Sequence, residues 1–173
     1  METPIFNKVA KSPLITVDLE MLKTEGTRAF IDIAQWLEEG IILREKSFRA
    51  ALKEHHWEQY KNQHIALGCS ADAILPAWAS LLVATHLNPF AKTIVMGSLE
   101  DLEKQLFSAA ILQLDLDTFR DKPLMIKGCS DASIPKAAYI ALIQHLQPIA
   151  KSLFYGEACS SVPLWKAKPK RES

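Results

Sequence analysis

The tripeptide Gly68-Cys69-Ser70 returns as Gly128-Cys129-Ser130, and the residues that follow keep step with it. Pro76 corresponds to Pro135, Ala79 to Ala138, His86-Leu87 and Pro89 to His145-Leu146 and Pro148, Ala91-Lys92 to Ala150-Lys151, and Gly97 to Gly156. From the proline onward the register has no gap. One residue of adjustment between cysteine and proline is all the alignment needs. Such a repeat constrains the fold more than any other feature of the chain, because both copies must build the same supersecondary unit. Each reads as apolar strand, Gly-Cys-Ser turn, helix and strand, over residues 63–67, 74–87 and 93–96 in one copy and 124–127, 134–146 and 152–155 in the other. Strands alternating with helices in units of about 30 residues give βαβ crossovers and a mostly parallel sheet. The expected fold is α/β and three-layer, with a mostly parallel sheet and a duplicated βαβ core.

Around the repeat, residues 13–20 and 27–33 read as strands with Gly26 in the turn between them, and 34–39 as a helical turn ended by Gly40. Residues 45–55 have helical character with Phe48 and Leu52 on one face, and 99–112 form an amphipathic helix charged at Glu100, Asp101, Glu103 and Lys104. The run from Ala77 to Ala84 has almost no polar face, so its helix is expected to be buried on most sides. A chain of 173 residues suits one domain with a proper core. We expect a single α/β domain over 1–165 and a basic, disordered tail over 166–173.

Twenty basic and 20 acidic residues cancel, so no charge excess points to nucleic acid or to an anionic membrane. No signal-peptide pattern opens the chain, and no stretch has the roughly 18 apolar residues of a membrane span. A cytoplasmic protein is expected, and association as a homodimer stays open.

All three cysteines precede a serine: Cys69-Ser70, Cys129-Ser130 and Cys159-Ser160. In a reducing compartment they should be free thiols or ligands. Loops at the carboxyl ends of parallel strands form the functional crevice of such sheets. Cys69 and Cys129 fall in such loops, and Cys159 follows the last strand of the repeat by a few residues, so all three are expected to converge at one edge of one sheet. A thiol just ahead of a helix feels the positive end of the dipole and nearby unpaired amides, which favour the thiolate, the form that binds metal and attacks electrophiles. Three thiolates leave one tetrahedral position open, as in a zinc site with three protein ligands or a cluster with one free iron. Asp72, Asp131 and Glu157 are candidates for a fourth ligand or for outer-shell roles. Cysteine also often only fills space. No Cys-x-x-Cys spacing supports the metal.

His86 and His145 recur with the repeat but lie at the far ends of their helices, roughly 15 Å from the cysteines at 1.5 Å per residue, and are expected to serve the terminal carbonyls. His55, His56 and His64 read as surface or loop residues. Trp36, Trp57 and Trp78 read as core, and Trp165 as a cover over an opening or a partner contact. No Walker loop, Gly-x-Gly-x-x-Gly or Gly-x-Ser-x-Gly is present.

Val17-Asp18-Leu19-Glu20, Trp36-Leu37 with Gly40-Ile41-Ile42-Leu43, the segment from Cys69 to Ile74 with Pro76 and Trp78-Ala79, Lys127-Gly128-Cys129-Ser130, and Gly156-Glu157 with Cys159-Ser160 and Val162-Pro163 together resemble a bacterial family, domain of unknown function 2480. That resemblance carries no activity. By gene neighbourhood it implies iron–sulfur assembly proteins as partners, and it favours a cluster over a zinc hydrolase.

Three readings follow. The first is a cysteine-ligated metal or iron–sulfur site, an accessory to cluster or sulfur metabolism, with Cys69, Cys129 and Cys159 as ligands and Asp72 beside them. The second is a metal-free thiol or persulfide carrier with Cys129 as nucleophile and Asp131 orienting a proton donor. The third is a non-catalytic interaction protein whose cysteines pack. No substrate or reaction can be named from the sequence.

Overall fold

A computed structural model of the protein describes residues 14–128, 131–157 and 160–168. Its strands are Ile15–Val17 (β1), Arg28–Asp32 (β2), His64–Gly68 (β3), Thr93–Met96 (β4), Pro123–Ile126 (β5), Ser152–Glu157 (β6) and Ser160–Lys166 (β7). Its α-helices are Glu45–Glu54 (α1), Ala77–Leu87 (α2), Leu99–Leu112 (α3) and Lys136–Leu146 (α4). The fold is α/β and mostly parallel. The parallel strands do not run through one sheet, however. They divide into β2-β3-β4, parallel throughout, and β1-β5-β6-β7, in which only β7 is antiparallel. Two compact units hold these sheets: an inserted unit, Thr24–Leu106, and a split unit of Met1–Lys23 with Phe107–Ser173.

The sequence repeat has a counterpart in the elements. β3, α2 and β4 recur as β5, α4 and β6, each starting 59 residues later. Within each copy the paired strands are matched 29 positions apart, His64 with Thr93 and Pro123 with Ser152. Helices α2 and α4 bury the same stripe, Ala79, Val83 and Leu87 in one, Ala138, Leu142 and Leu146 in the other. A stripe at that spacing is one helix face. Helix α2 is therefore not buried on most sides: Leu81 is 65% exposed. Ile74, 99% exposed, lies ahead of the helix. Both helices begin just after a proline, Pro76 or Pro135, and a residue before proline is held out of the helical region, so neither helix extends further back.

The correspondence reaches upstream of the cysteines. Strand β1 pairs with β5 as β2 pairs with β3. At the end of each first strand an aspartate caps a short 3-10 helix: Asp18, the residue after β1, for Leu19–Leu22, and Asp32, the last residue of β2, for Ile33–Trp36. Asp18 Oδ1 accepts from the Glu20 amide at 3.0 Å, and Asp32 Oδ1 from the Ala34 amide at 2.9 Å.

In the inserted unit, Ile31, Ile65 and Leu67 pack with Phe48 and Leu52 of α1 and with the α2 stripe. Ala66, pointing the other way on β3, packs with Leu102 and Leu106 of α3. Helices thus cover both faces of this sheet, giving three layers. In the split unit, Val17, Leu124, Ile126 and Leu153 pack with the α4 stripe and with Phe107 and Ile111.

The repeated glycines have a backbone reason. Gly97 and Gly156 sit at φ +136° and +119°. A Cβ at Gly97 would meet Asp101 Oδ2 at 2.7 Å, and one at Gly156 would meet the Ser160 carbonyl oxygen at 2.6 Å.

Two expectations are corrected. His64 is not a surface residue. It is buried, with Nε2 donating to the Glu25 carbonyl at 3.1 Å and Nδ1 sharing a hydrogen bond of 3.0 Å with the Thr93 hydroxyl. Strand β7 was not foreseen, because its residues are mostly exposed and carry no buried alternation. Its Pro163 is tolerated because β7 is an edge strand. Trp165 does cover apolar surface, packing partly buried on the split unit's core.

Candidate functional site

The chemistry gathers where each unit's parallel strands end. In the inserted unit, Asp32 reaches from the end of β2 to the loop after β3. Its Oδ1 accepts the Ser70 amide at 3.0 Å and its Oδ2 the Ser70 hydroxyl. The Ser70 hydroxyl, then the amides of Ser70 and Ala34, hold the Asp32 carboxyl below its ordinary range against the opposing effect of burial. One carboxylate thereby ties the Cys-Ser loop to the neighbouring strand. Cys69 is free and half-buried; its Sγ lies 3.6 Å from the Ala71 carbonyl and its side chain packs against the unit's apolar cluster. Helix α2 starts only at Ala77, eight residues beyond Cys69. Asp72 is exposed.

In the split unit the corresponding carboxylate is Asp18, with a different partner. The one-residue adjustment in the repeat puts Lys127 where the inserted unit has Gly68, next in register beyond Ile126. Lys127 Nζ donates to Asp18 Oδ2 at 2.7 Å. That hydrogen bond is the main cause that lowers Asp18, and it raises Lys127 in return. Further along the loop, Asp131 accepts from Lys23 Nζ at 3.1 Å and from the Ser133 amide at 2.8 Å, while Lys23 Nζ also donates to the Ser133 hydroxyl at 2.8 Å. Ser133 foremost, with Lys23, lowers the Asp131 carboxyl to about 2. At neutral pH Asp131 is a fixed carboxylate, not a proton donor.

Cys129 and Cys159 lie outside the described residues. Their described neighbours belong to adjacent strands of one sheet: Ile126 of β5 is matched with Tyr155 of β6, Gly128 follows β5, and Glu157 ends β6. A Cβ on Gly128 would come within 3.3 Å of the Tyr155 hydroxyl. Cys69 belongs to the other sheet, so the three cysteines do not follow strands of a single sheet as expected. Among the described residues, no group of three or more His, Cys, Asp or Glu side chains is arranged to hold a metal ion.

The repeated histidines are packed. His86 stacks on Trp57 with ring centroids 5.3 Å apart, and His145 Nε2 is buried with no hydrogen-bond partner among the described residues. Sequence reasoning passed over Asp18 and Asp32, although the pattern apolar-Asp-apolar occurs at both, as Val17-Asp18-Leu19 and Ile31-Asp32-Ile33.

Fold and site together define an α/β protein in which each unit sets an aspartate, Asp32 or Asp18, at the carboxyl end of a parallel strand, against a residue of the neighbouring strand's loop. The chain belongs to the family described as "Protein of unknown function (DUF2480)", which matches residues 3–167. No curated protein and no solved structure matches the chain significantly. Among the described residues no helix is long and apolar enough to cross a membrane.

Proposed function

We propose that the protein acts through its thiols, with Cys129 and Cys159 as a thiolate pair that holds a soft metal ion or an iron–sulfur cluster. In this reading it is an accessory to cluster or sulfur metabolism, and iron–sulfur assembly proteins are its partners. The observation that supports it most is the pairing of Ile126, the last residue of β5, with Tyr155, two residues before the end of β6, since the segments that follow these strands carry the two cysteines. Neighbouring strands lie about 4.8 Å apart. Sulfurs on one zinc lie roughly 4 Å apart. Thiolates are the ligands that select zinc and iron–sulfur clusters over harder cations. Glu157 is a candidate additional ligand, and Cys69 with Asp72 belongs to a separate loop that metal retention would test.

The test is purification without oxygen, followed by a visible spectrum and by iron, zinc and acid-labile sulfide analysis. Stoichiometric metal that is lost in Cys129→Ala and in Cys159→Ala is the expected result, and Cys69→Ala shows whether the third thiol takes part. Metal-free protein after such a preparation would overturn the reading. The thiol or persulfide carrier would then lead, because the Lys23–Asp131–Ser133 network fixes the segment that follows Cys129. Its mark would be one cysteine alkylated far faster than the others.

A further inference from the structure

We propose that the outer edge of β4, with the apolar groove beside it, docks an extended segment of a partner protein, which adds antiparallel to β4 and lowers an aromatic side chain into the groove. Strand β4 is the last in its sheet, and among the described residues no strand pairs with its outer side. Its sequence, Thr93-Ile94-Val95-Met96, has neither charge nor proline, the devices by which natural edge strands discourage pairing. On the α2 side of this edge lies a groove of about 610 Å³ whose apolar lining includes Leu67, Leu81, Ala84, Ile94 and Met96. Leu81 and Met96 remain 65% and 61% exposed.

The repeat reveals what such an edge accepts. The counterpart of β4 is β6, and β6 is covered by antiparallel β7. Trp165 of β7 stands opposite Leu153, the counterpart of Ile94, and packs on the split unit's core. Leu153 is completely buried there, whereas Ile94 is only partly so. Tyr139, edge-on to Tyr155 at 6.1 Å, occupies the position of Ser80. The inserted unit thus lacks the strand, the indole and the tyrosine that close the same edge in its counterpart. Added strands gain affinity from main-chain hydrogen bonds and specificity from alternate side chains in pockets. A second copy of the chain would offer only the isoleucine and methionine of its own β4, since its Trp165 is already engaged, so a partner segment with a free aromatic residue is the better occupant.

The test titrates the isotopically labelled full chain with a blocked peptide of β7's own sequence, Ser-Ser-Val-Pro-Leu-Trp-Lys, followed by NMR. Saturable shifts at Thr93–Met96 and around Leu81 are expected, with a dissociation constant between about 10 μM and 1 mM. Replacing the peptide's tryptophan by alanine should weaken binding about tenfold, because aromatic anchors concentrate binding energy. Leu81→Glu, at an exposed position that leaves the fold intact, should do the same. No saturable shift, shifts confined to Leu153 and Trp165, or concentration-dependent dimerisation that Leu81→Glu abolishes would each overturn the proposal.

Discussion

The Lys127 ammonium lies 2.7 Å from Asp18 Oδ2, while Asp18 Oδ1 caps the 3-10 helix that follows β1. One carboxylate therefore joins the end of β1 to the first residue beyond β5. Asp18→Ala removes both functions. Loss of the cap alone should cost about 0.5–2 kcal/mol at neutral pH. The carboxyl's pKa is lowered in the folded state, so its contribution is fully present above the unfolded value near 3.9 and is lost as pH falls through the lower folded value. Denaturant titrations of wild type and Asp18→Ala should differ at pH 7 and converge in strong acid. Equal separation at both pH values would show that the charge contributes nothing.

Asp131 should titrate at about 2, below ordinary aspartates. Because the folded value is depressed, the stability it contributes is present above the unfolded value near 3.9 and disappears as pH falls through about 2. Ser133→Ala and Lys23→Ala should each move the carboxyl upward, Ser133→Ala more. A carbon-13 NMR titration of the aspartate carboxyls reads this directly, and a wild-type Asp131 in the ordinary range would contradict the described network.

Helix α4 should be sensitive on one side only. Leu142→Ala, at a fully buried position, should cost about 2–5 kcal/mol. Ile140→Ala, two residues away and 63% exposed, should stay within about 0.5 kcal/mol. Comparable losses at the two positions would mean that the exposed face is covered in solution.

Gly97→Ala should destabilise the inserted unit by about 1–3 kcal/mol, since φ +136° is strained for any L side chain and Asp101 Oδ2 would lie 2.7 Å from the new Cβ. Truncating Asp101 to alanine as well would remove the Oδ2 contact, but its Cβ, 3.0 Å from the new Cβ, and the dihedral would remain. The double variant Gly97→Ala/Asp101→Ala should thus recover only part of the loss beyond that of Asp101→Ala alone, as thermal unfolding can show.

Much of the fold is legible in the sequence, because local patterns carry it. The limits of β4 follow from an apolar run bounded by Lys92 and Gly97, those of α3 from its amphipathic period after Ser98, and the repeat locates both βαβ units. Partition into two sheets is not legible, since strand order depends on pairings between β1 and β5 that no local pattern encodes. The burial of α2 is overread for a physical reason: an all-apolar helix has no moment to say which face is inside, and only packing leaves Leu81 out and Val83 in. His64 is misread because nothing near it in sequence announces Thr93 and Glu25 as its partners. At the site, the cysteines stand out by composition, whereas Asp18 and Asp32 are aspartates like any others until strand pairing places a lysine or a serine against each.

The insertion of one unit within the other also orders the events of folding. In the inserted unit, β2 meets β3 across a loop of moderate length, Arg28 with His64, and β3 meets β4 closer still. Strand β1 must wait for Leu124 to find Ile15, with the whole inserted unit strung between them. Closing a long loop carries its entropy cost before any contact repays it. The β1–β5 ladder should therefore be the last to acquire protected amides in a pulsed hydrogen-exchange experiment. The thiol pair proposed for the split unit would then be assembled on a scaffold whose first strand is the final piece to arrive.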